Sequence, residues 1–180
     1  APIITSRPRE PYLHACPIVS YSDAENELEM YYLSGDRWVT DENEKLESVY
    51  TLKKCKSLNG ITWSTGDGPI LKSVQKDECQ TSASVFDYNG QKHMIFSYRS
   101  GLGFRENKND AYKLGLAKAD DSGAWQRVTN NLQMIDQHSS TWDDQMVAYP
   151  HVFEFKKTTY MLYCGNNFGK GGFGAAVLES

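Results

Sequence analysis

The sequence predicts an all-β protein. Apolar positions alternate or run continuously over short stretches, and turn residues separate these stretches at short intervals. β-Branched and aromatic residues dominate the strand-like segments, and eleven Tyr contribute to an aromatic content of 12%. Almost nothing in the 180 residues has the periodicity of a helix.

An internal repeat narrows the fold class further. Three segments are alike: CPIVSYSDAENELEMYYLSG, SASVFDYNGQKHMIFSYRSG and YPHVFEFKKTTYMLYCGN. Val19, Val85 and Val152 are separated by 66 and 67 positions, and Gly35 and Gly101 by 66. Each segment predicts a strand, a turn and a second strand.

Further strands complete each repeat. A third strand is predicted in VYTLKKCKS, AYKLGLAKA and GFGAAVLES. The first two units then have a turn and a Trp, at Trp63 and Trp125, which predicts a short fourth strand. Self-similar four-stranded units are typical of a β-propeller, and a β-sandwich with accidental similarity is the alternative. We predict four-stranded antiparallel blades in one partial propeller domain over residues 1–180. The three repeats cover approximately residues 10–68, 76–128 and 142–180.

Three blades do not close a ring, because propellers usually have four to eight. The third unit also reaches Ser180 without a fourth strand. We therefore expect either that the chain is the C-terminal part of a longer propeller, with N-terminal blades missing, or that several copies close a ring. Exposed sheet faces and edges favour self-association.

Composition limits the partners. The net charge is −4, from 19 basic and 23 acidic residues that are well mixed, so no basic stripe predicts a nucleic-acid partner. No apolar run approaches the roughly 18 residues of a membrane span. The opening APIITSRPRE lacks the features of a signal peptide. We expect a cytoplasmic protein, or a secreted one if a signal has been removed.

Four cysteines stand at 16, 55, 79 and 164. None forms a CxxC pair, and none has a His at zinc-finger spacing, so a structural zinc site is not predicted. Two disulfides are arithmetically possible. Reduced, mostly buried thiols are favoured, because Cys16, Cys55 and Cys164 lie in strand-like apolar contexts.

Acidic residues precede the first strand of two blades. Glu78 lies seven residues before Val85, and Asp144 lies eight before Val152, in TWDDQMVAYP. The first strand of a propeller blade is the innermost, so the residues before it are expected at one rim of the central channel. Carboxylates accept paired hydrogen bonds from sugar hydroxyls, and two carboxylates are what glycoside hydrolysis requires. The alternative is that these are solvated loop acids.

Other side chains are candidates for the same pocket. GKGGFG at 169–174 fits a dinucleotide motif literally, but no helix of sufficient length can follow it before Ser180, so it predicts a tight turn. His138 is predicted to lie in a loop, and no pair of histidines has zinc-ligand spacing. No metal site is predicted. The candidate substrate-binding residues are His14, Arg99, Trp142, Asp143, Tyr149, His151, Asn166 and Asn167.

Over essentially its whole length the chain resembles the last three blades of the five-bladed propeller clan of arabinanases, levansucrases and invertases. The segments that carry the resemblance are ECQTSASVFDYNGQKHMIFSYRS, YKLGLAKADDSGAW and WDDQMVAYPHVFEF followed by YMLYCGNNFGKGGFGAA. The greatest likeness is to family 43-like glycoside hydrolases. WDDQMVAYP and GNNFGKGGFG are its most specific parts.

The resemblance implies a funnel-shaped axial pocket with three acids. Glu78 matches the general acid, whose pKa would have to be raised by burial or a neighbouring carboxylate. Asp144 would lie across the pocket, and Arg99 would hold a substrate hydroxyl or pair with an acid. No organic cofactor is implied, although some members of the clan hold Ca²⁺ beside an axial His. The first-blade acid of the clan has no counterpart here, so we expect residues 1–180 alone to be inactive as a hydrolase.

Three functions follow as hypotheses. The first is a carbohydrate-active, glycoside hydrolase-like protein that cleaves or transfers a glycosidic bond, with carbohydrate as its partner. The second is a non-catalytic glycan-binding propeller associated with polysaccharide metabolism. The third is an interaction propeller with no sugar site.

Overall fold

The computed structural model describes residues 1–22, 25–64, 68–129 and 142–178. The strands are β1 (Tyr12–Ser22), β2 (Glu27–Thr40), β3 (Leu46–Ser57), β4 (Cys79–Tyr88), β5 (Gln91–Arg99), β6 (Lys113–Ala119), β7 (Trp125–Thr129), β8 (Ala148–Phe155), β9 (Thr158–Cys164) and β10 (Phe173–Val177). A short helical turn, α1 (Asn166–Gly169), lies between β9 and β10. The prediction of an all-β fold is confirmed.

The strands form three separate antiparallel sheets, which are the three blades. Their strand orders are β1-β2-β3, β4-β5-β6-β7 and, for the third, β8-β9-β10. The first strand of each blade is therefore an edge strand, and the later strands follow outward in chain order. This is the meander of a propeller blade.

The predicted fourth strand of the first blade is described only in part. The Asn59 side-chain oxygen accepts the N–H groups of Ile61 and Thr62, at 2.9 and 2.8 Å, and forms the predicted turn. The N–H groups of Ser64 and Ile70 then donate to carbonyls of β3, at 2.8 and 2.9 Å, and Trp63 packs against the first sheet. Residues 65–67 lie outside the described residues, so this fourth strand stays a prediction.

Three glycines at equivalent positions of the repeat allow a close approach of two backbone segments in each blade. The end of the second strand approaches the segment that leads into the first strand of the same blade. A Cβ on Gly35 would lie 2.6 Å from the carbonyl oxygen of Tyr12, and one on Gly101 would lie 2.8 Å from that of Asp77. A Cβ on Gly165 would lie 2.4 Å from that of Trp142. The repeated glycines thus follow from close backbone approach.

The blades stack through apolar faces. Tyr31 and Leu52 of the first blade pack with Met94, Phe96 and Trp125 of the second. A separate cluster joins the second and third blades and contains Ile95, Leu114, Val152, Met161 and Tyr163. Each interior is therefore shared by two sheets, so no blade buries its own core alone.

A β-bulge interrupts the first strand of every blade. The register of pairing shifts between Ala15 and Ile18, between Thr81 and Ser84, and between Ala148 and His151. Inside these shifts Cys16, Ser82 and Tyr149 have φ values of +53°, +50° and +58°. They are spaced by 66 and 67 positions. The bulge is therefore part of the repeated unit.

Serine hydroxyls of the second blade bind the bulged strand of the third. The N–H of Tyr149 donates to Ser97 Oγ, and the N–H of Val152 donates to Ser84 Oγ, both at 2.8 Å. Both serines are buried. The bond to Ser97 satisfies the Tyr149 amide, which lies inside the register shift, and the bond to Ser84 ties Val152, beyond the shift, to the second blade.

Within the described residues, no helix is long and apolar enough to span a bilayer. All four cysteines are free thiols. Cys55 and Cys79 are buried and Cys164 is half-buried, as expected, but Cys16 is exposed because the bulge turns it away from the blade interior. Burial raises the pKa of Cys55 to about 11.

Candidate functional site at the axial end

The axial end is defined here as the end of the blades at which β1, β4 and β8 begin. The loop between β5 and β6, the segment before β8 and α1 lie at this end, because antiparallel strands alternate in direction. Most of the candidate substrate-binding residues lie here.

A buried cluster of aromatic side chains surrounds Arg99. Its guanidinium lies 3.5 Å from the ring centroid of Phe104 and 5.1 and 5.6 Å from those of Tyr50 and Tyr112. Arg99 Nε donates to the Tyr50 hydroxyl at 3.1 Å, and Nη1 donates to the carbonyls of Ser100 and Gly101. Arg99 is 4% exposed. Aromatic faces stabilise such a buried cation.

Tyr149 extends this cluster toward the first strands. Its ring centroid lies 5.5 Å from that of Tyr112, whose hydroxyl is hydrogen-bonded to that of Tyr50. Burial, the Tyr112 phenol and the Cys16 thiol all raise the pKa of Tyr149. Convergence of the segments before the three first strands on one axial pocket stays a prediction.

Asn166 holds the segment that contains Asp144. Its Nδ2 donates to Asp144 Oδ1 at 2.7 Å, and its Oδ1 accepts the N–H groups of Gln145 and Met146 at 2.9 Å. The N–H of Asn166 donates to the Trp142 carbonyl at 2.7 Å. Asp144 itself is exposed. The arrangement presents a carboxylate in a fixed orientation at the surface.

Phe168 is placed at the surface by a strained turn. Asn167 and Phe168 both have left-handed conformations, with φ of +54° and +58°, and Gly169 follows at +81°. Phe168 is 43% exposed, and its ring meets the edges of Phe104 and Tyr112 at 6.2 Å. Non-glycine residues in this conformation cost free energy and cluster at functional sites.

Trp142 and Asp143 pack into the third blade. The Trp142 ring stacks on Tyr163 at 5.4 Å and lies so close to Gly165 and Gly174 that neither could carry a Cβ. Asp143 is buried and accepts a hydrogen bond from the Tyr163 hydroxyl at 2.8 Å. Burial and this carboxylate raise the pKa of Tyr163 to about 12. In this structure both residues support the site rather than line it.

Glu78 lies away from the surface, in a buried ion pair. Arg127 Nη2 donates to its Oε1 at 2.6 Å, and Nη1 donates to Oε2 at 3.2 Å. Gln80 and the N–H of Val74 also donate to it, at 2.8 and 3.2 Å. The Glu78 side chain is 0% exposed. Glu78 and Asp144 share no direct contact among the described residues, and the placement of Asp144 across a pocket from Glu78 stays a prediction.

Neither axial histidine lies in the cluster around Arg99. His14 turns to the outer side of the first blade, where its Nε2 lies 3.8 Å from Glu10 Oε2 and its ring lies 6.2 Å from that of Tyr32. His151 is exposed and stacks on Phe153 at 6.0 Å. The bulge in each first strand changes the face on which these side chains emerge.

No three His, Cys, Asp or Glu side chains of residues 1–22, 25–64, 68–129 and 142–178 are placed to hold a metal ion. His138, predicted in a loop, lies outside the described residues. The exposed carboxylate of Asp144 and the amide of Asn166 offer oxygen ligands, but they do not form a cation site by themselves.

A cavity of about 520 Å³ opens between the first and second blades at the opposite end. Its lining includes Glu29, which pairs with Lys54 and Lys92 at 3.0 and 3.5 Å, and the turn at residues 120–123. The Glu29 pKa is lowered, because these lysines outweigh the effect of burial. The cavity is separate from the axial end.

The sequence interpretation missed the residues that connect the axial end. Tyr50, Phe104, Tyr112 and Phe168 were not selected, because Phe104, Tyr112 and Phe168 lie in loops between second and third strands and Tyr50 lies within β3. The spacing of Cys16, Ser82 and Tyr149 could have indicated residues near the channel. These positions repeat at the same period as Val19, Val85 and Val152, and a repeated position next to an inner strand is a candidate for the channel.

No protein-family model matches the chain. The chain is 26% and 25% identical, over 99% of its length, to two uncharacterised proteins of Mycobacterium tuberculosis, from strains H37Rv and CDC 1551. It covers 55% of each of these proteins. The chain thus spans about half the length of the curated relatives it matches.

The fold is similar to that of solved glycoside hydrolases. One structure described as a glycoside hydrolase matches all of this chain with a TM-score of 0.71 at 15% identity, and the chain covers 51% of it. A family 117 glycoside hydrolase of Zobellia galactanivorans matches 91% of this chain with a TM-score of 0.66 at 14% identity, and half of that protein is covered. The chain has the fold of the propeller glycoside hydrolases. The resemblance seen in the sequence is confirmed at the level of this fold.

Proposed function

We propose that the axial end binds a carbohydrate and that the chain is part of a glycoside hydrolase-like propeller. The observation that carries the proposal is that the axial end brings an exposed aromatic ring, further aromatic rings in contact with it and an exposed carboxylate to one end of the blades. Phe168 offers an exposed ring, and Tyr149 and Asp144 offer a hydroxyl and a carboxylate. A sugar presents an apolar ring face and a set of hydroxyls, which such groups complement.

The fold supports this proposal by analogy, because its solved neighbours include glycoside hydrolases. Asp144 remains the proposed acid at the surface, and Arg99 is proposed to act indirectly by orienting Tyr50 and Tyr112. The candidate contacts with sugar are therefore Phe168, Asp144, Tyr149 and the amides of Asn166 and Asn167.

A non-catalytic glycan-binding function is the second candidate, and one observation favours it. Both oxygens of Glu78 are bound by Arg127, and the carboxylate is fully buried. Glycoside hydrolysis requires two carboxylates that flank the scissile bond. Glu78 meets that requirement only if the pair with Arg127 opens in a larger assembly.

Binding is tested by titrating the chain with a panel of neutral and acidic oligosaccharides in a calorimeter. We expect Phe168→Ala and Asp144→Asn to weaken the binding of the best ligand about 10-fold each, because each removes one central contact. Phe155→Ala is the matched control, since Phe155 is an exposed aromatic on β8. Absence of binding to every sugar, or equal loss in the control, would refute a sugar site at the axial end.

Catalysis is tested in the full-length protein with Glu78→Gln. Loss of turnover with unchanged thermal stability would support Glu78 as the acid. Loss of stability with unchanged sugar binding would support the non-catalytic function, because the variant leaves Arg127 buried without its counter-ion.

A further inference from the structure

An aromatic residue stands at the same position of every repeat. The repeated glycines at 35, 101 and 165 are each followed, three positions later, by an aromatic ring, and these rings belong to Trp38, Phe104 and Phe168. All three positions lie near or just beyond the end of a second strand, and second strands end at the axial end because they run antiparallel to the first. The repeat therefore brings one ring of each blade to the axial end. We call these three residues the rim aromatics.

Two of the rim aromatics are exposed and the middle one is covered. Phe104 is 5% exposed, and the guanidiniums of Arg99 and Arg105 lie 3.5 and 4.1 Å from its ring centroid. Trp38 is 54% exposed and Phe168 is 43% exposed. The first and third blades thus each present a ring to solvent at the same end.

The ring of Trp38 is held in a fixed orientation. It stacks on Tyr12 with 4.7 Å between the ring centroids and 16° between the planes. The Tyr12 hydroxyl in turn donates to the carbonyls of Arg37 and Val49. Ser48 is the cross-strand partner of Trp38, so its hydroxyl emerges on the same face of the hairpin. An immobilised aromatic ring beside a hydroxyl loses little entropy when a ligand binds.

The hairpin that carries Trp38, residues 36–48, is tied to the second blade by two ion pairs. Arg37 Nη2 lies 2.7 Å from Asp77 Oδ1. Glu47 pairs with Arg105, which belongs to the loop between β5 and β6. The position of Trp38 relative to the second blade is therefore fixed by charged contacts on both strands of the hairpin.

A series of contacts connects the two exposed rings. Phe168 meets Phe104 at 6.2 Å, and Arg105 lies over Phe104 and pairs with Glu47 of the hairpin. A single sugar ring is about the size of one of these side chains, so a monosaccharide cannot touch both Trp38 and Phe168. A chain of several sugar units can do so.

We propose that Trp38 is a second sugar-stacking position and that the ligand of the axial end is an oligosaccharide that reaches from Phe168 to Trp38. This inference rests on the proposed function, because it extends the carbohydrate site at the same end of the blades. The indole ring offers a large apolar face for one sugar unit. Arg105 and Glu47 offer a donor and an acceptor for the hydroxyls of the units between the rings.

Calorimetric titration of the 180-residue chain with oligosaccharides of increasing length tests the inference. The probes are arabino-, xylo- and galacturono-oligosaccharides, each from the monosaccharide to the hexasaccharide. We expect the affinity in the series that binds best to rise about 10-fold from the disaccharide to the hexasaccharide, because the second ring adds a contact within one association event. Trp38→Ala should abolish this rise and leave disaccharide binding within about twofold, whereas Phe168→Ala should weaken binding at every length.

Tyr21→Ala is the matched control. Tyr21 is also 54% exposed and belongs to the same blade, but it lies near the end of β1, at the opposite end from Trp38. This variant should leave every affinity within about twofold of the unsubstituted chain. Trp38→Phe keeps an aromatic ring and should retain most of the rise, which separates the ring contact from the folding of the hairpin.

Fluorescence gives a second measurement. The hexasaccharide should reduce the quenching of Trp fluorescence by acrylamide in the unsubstituted chain, and should have no such effect in Trp38→Phe. If sugars bind with the same affinity at every length, or if Trp38→Ala weakens all lengths equally, the inference is overturned while the proposed function stands. Quenching that the hexasaccharide leaves unchanged overturns it as well. Absence of binding at every length in all three series refutes the proposed function and this inference together.

Discussion

Individual buried acids in this chain are held by basic side chains. Glu10 is 1% exposed and contacts Arg7, Lys53 at 3.1 Å and the Tyr32 hydroxyl at 2.9 Å. Burial raises the pKa of Glu10, but the hydrogen bonds from Lys53, Arg7 and Tyr32 outweigh burial and hold the pKa below 4.5. A buried carboxylate is tolerated because it is paired and hydrogen-bonded.

The ion pairs of Glu10 predict that the difference in stability between the unsubstituted chain and the Glu10→Gln variant depends on pH. Because the pKa of Glu10 is lower in the folded chain, its contribution is fully present above about pH 4.5 and is lost as the pH falls below that value. Glu10→Gln should lower the free energy of unfolding by about 3 kcal/mol at pH 7, because Lys53 is left unpaired. Urea unfolding at pH 7, 5, 4 and 3 measures the difference. A difference that stays constant down to pH 3 contradicts this assignment.

At the scale of the element, the bulges of the first strands decide where the axial side chains point. Each bulge places one non-glycine residue in a left-handed conformation, and the flanking residues change faces. Tyr149 reaches Tyr112 through this distortion, and its freed amide is bound by Ser97. The serine therefore fixes both the position of the strand and the orientation of Tyr149.

Removal of the Ser97 hydroxyl should destabilise the chain. Ser97→Ala leaves the Tyr149 amide unsatisfied in a buried site, which costs about 1–3 kcal/mol. Ser34→Ala is the control, because Ser34 is also fully buried but its hydroxyl has no hydrogen-bond partner among the described residues. Guanidinium unfolding of both variants gives the comparison. Equal effects of the two substitutions would show that the bond to Tyr149 contributes nothing.

For the whole molecule, the apolar contacts between neighbouring blades stabilise the fold. Leu52 belongs to the interior shared by the first two blades, and Leu114 to the interior shared by the last two. Both are 0% exposed. Since the second blade takes part in both interiors, loss of either interface should destabilise the whole array.

The shared interiors predict one unfolding transition. Leu52→Ala and Leu114→Ala should each lower the free energy of unfolding by about 2–5 kcal/mol, because each leaves a cavity in a packed core. Both should shift the same cooperative transition. Circular dichroism and Trp fluorescence follow it with two independent probes. Separate transitions, each moved by one substitution only, would mean that the blades unfold independently.

Much of the fold could be predicted because the repeat is visible in the spacing of residues along the chain. The 66- and 67-residue spacing of Val19, Val85 and Val152 marked the first strands, and the apolar alternation marked their partners. The fourth strand of the first blade stays a prediction, since residues 65–67 lie outside the described residues, although Ser64 and Ile70 on either side hydrogen-bond to β3.

The site could be predicted only in part. The sequence predicted Tyr149 and Asp144 in the segment that enters the third blade and Asn166 in a turn near the rim, and in the structure Asn166 hydrogen-bonds to Asp144. It could not assign a partner to Glu78, because Arg127 lies 49 positions away on the outermost strand of the blade. Likewise, Trp142 is of a residue type that can stack on a sugar ring. Its ring packs in the interior instead, because Gly165 and Gly174 have no side chain that would collide with it.

The period, the strand class and the position of each first strand could be predicted, because they depend on residue type and spacing along the chain. The pairing of the acids and the exposure of the aromatic rings could not. Those properties depend on contacts between blades, and a bulge of one residue reverses the face on which a side chain emerges.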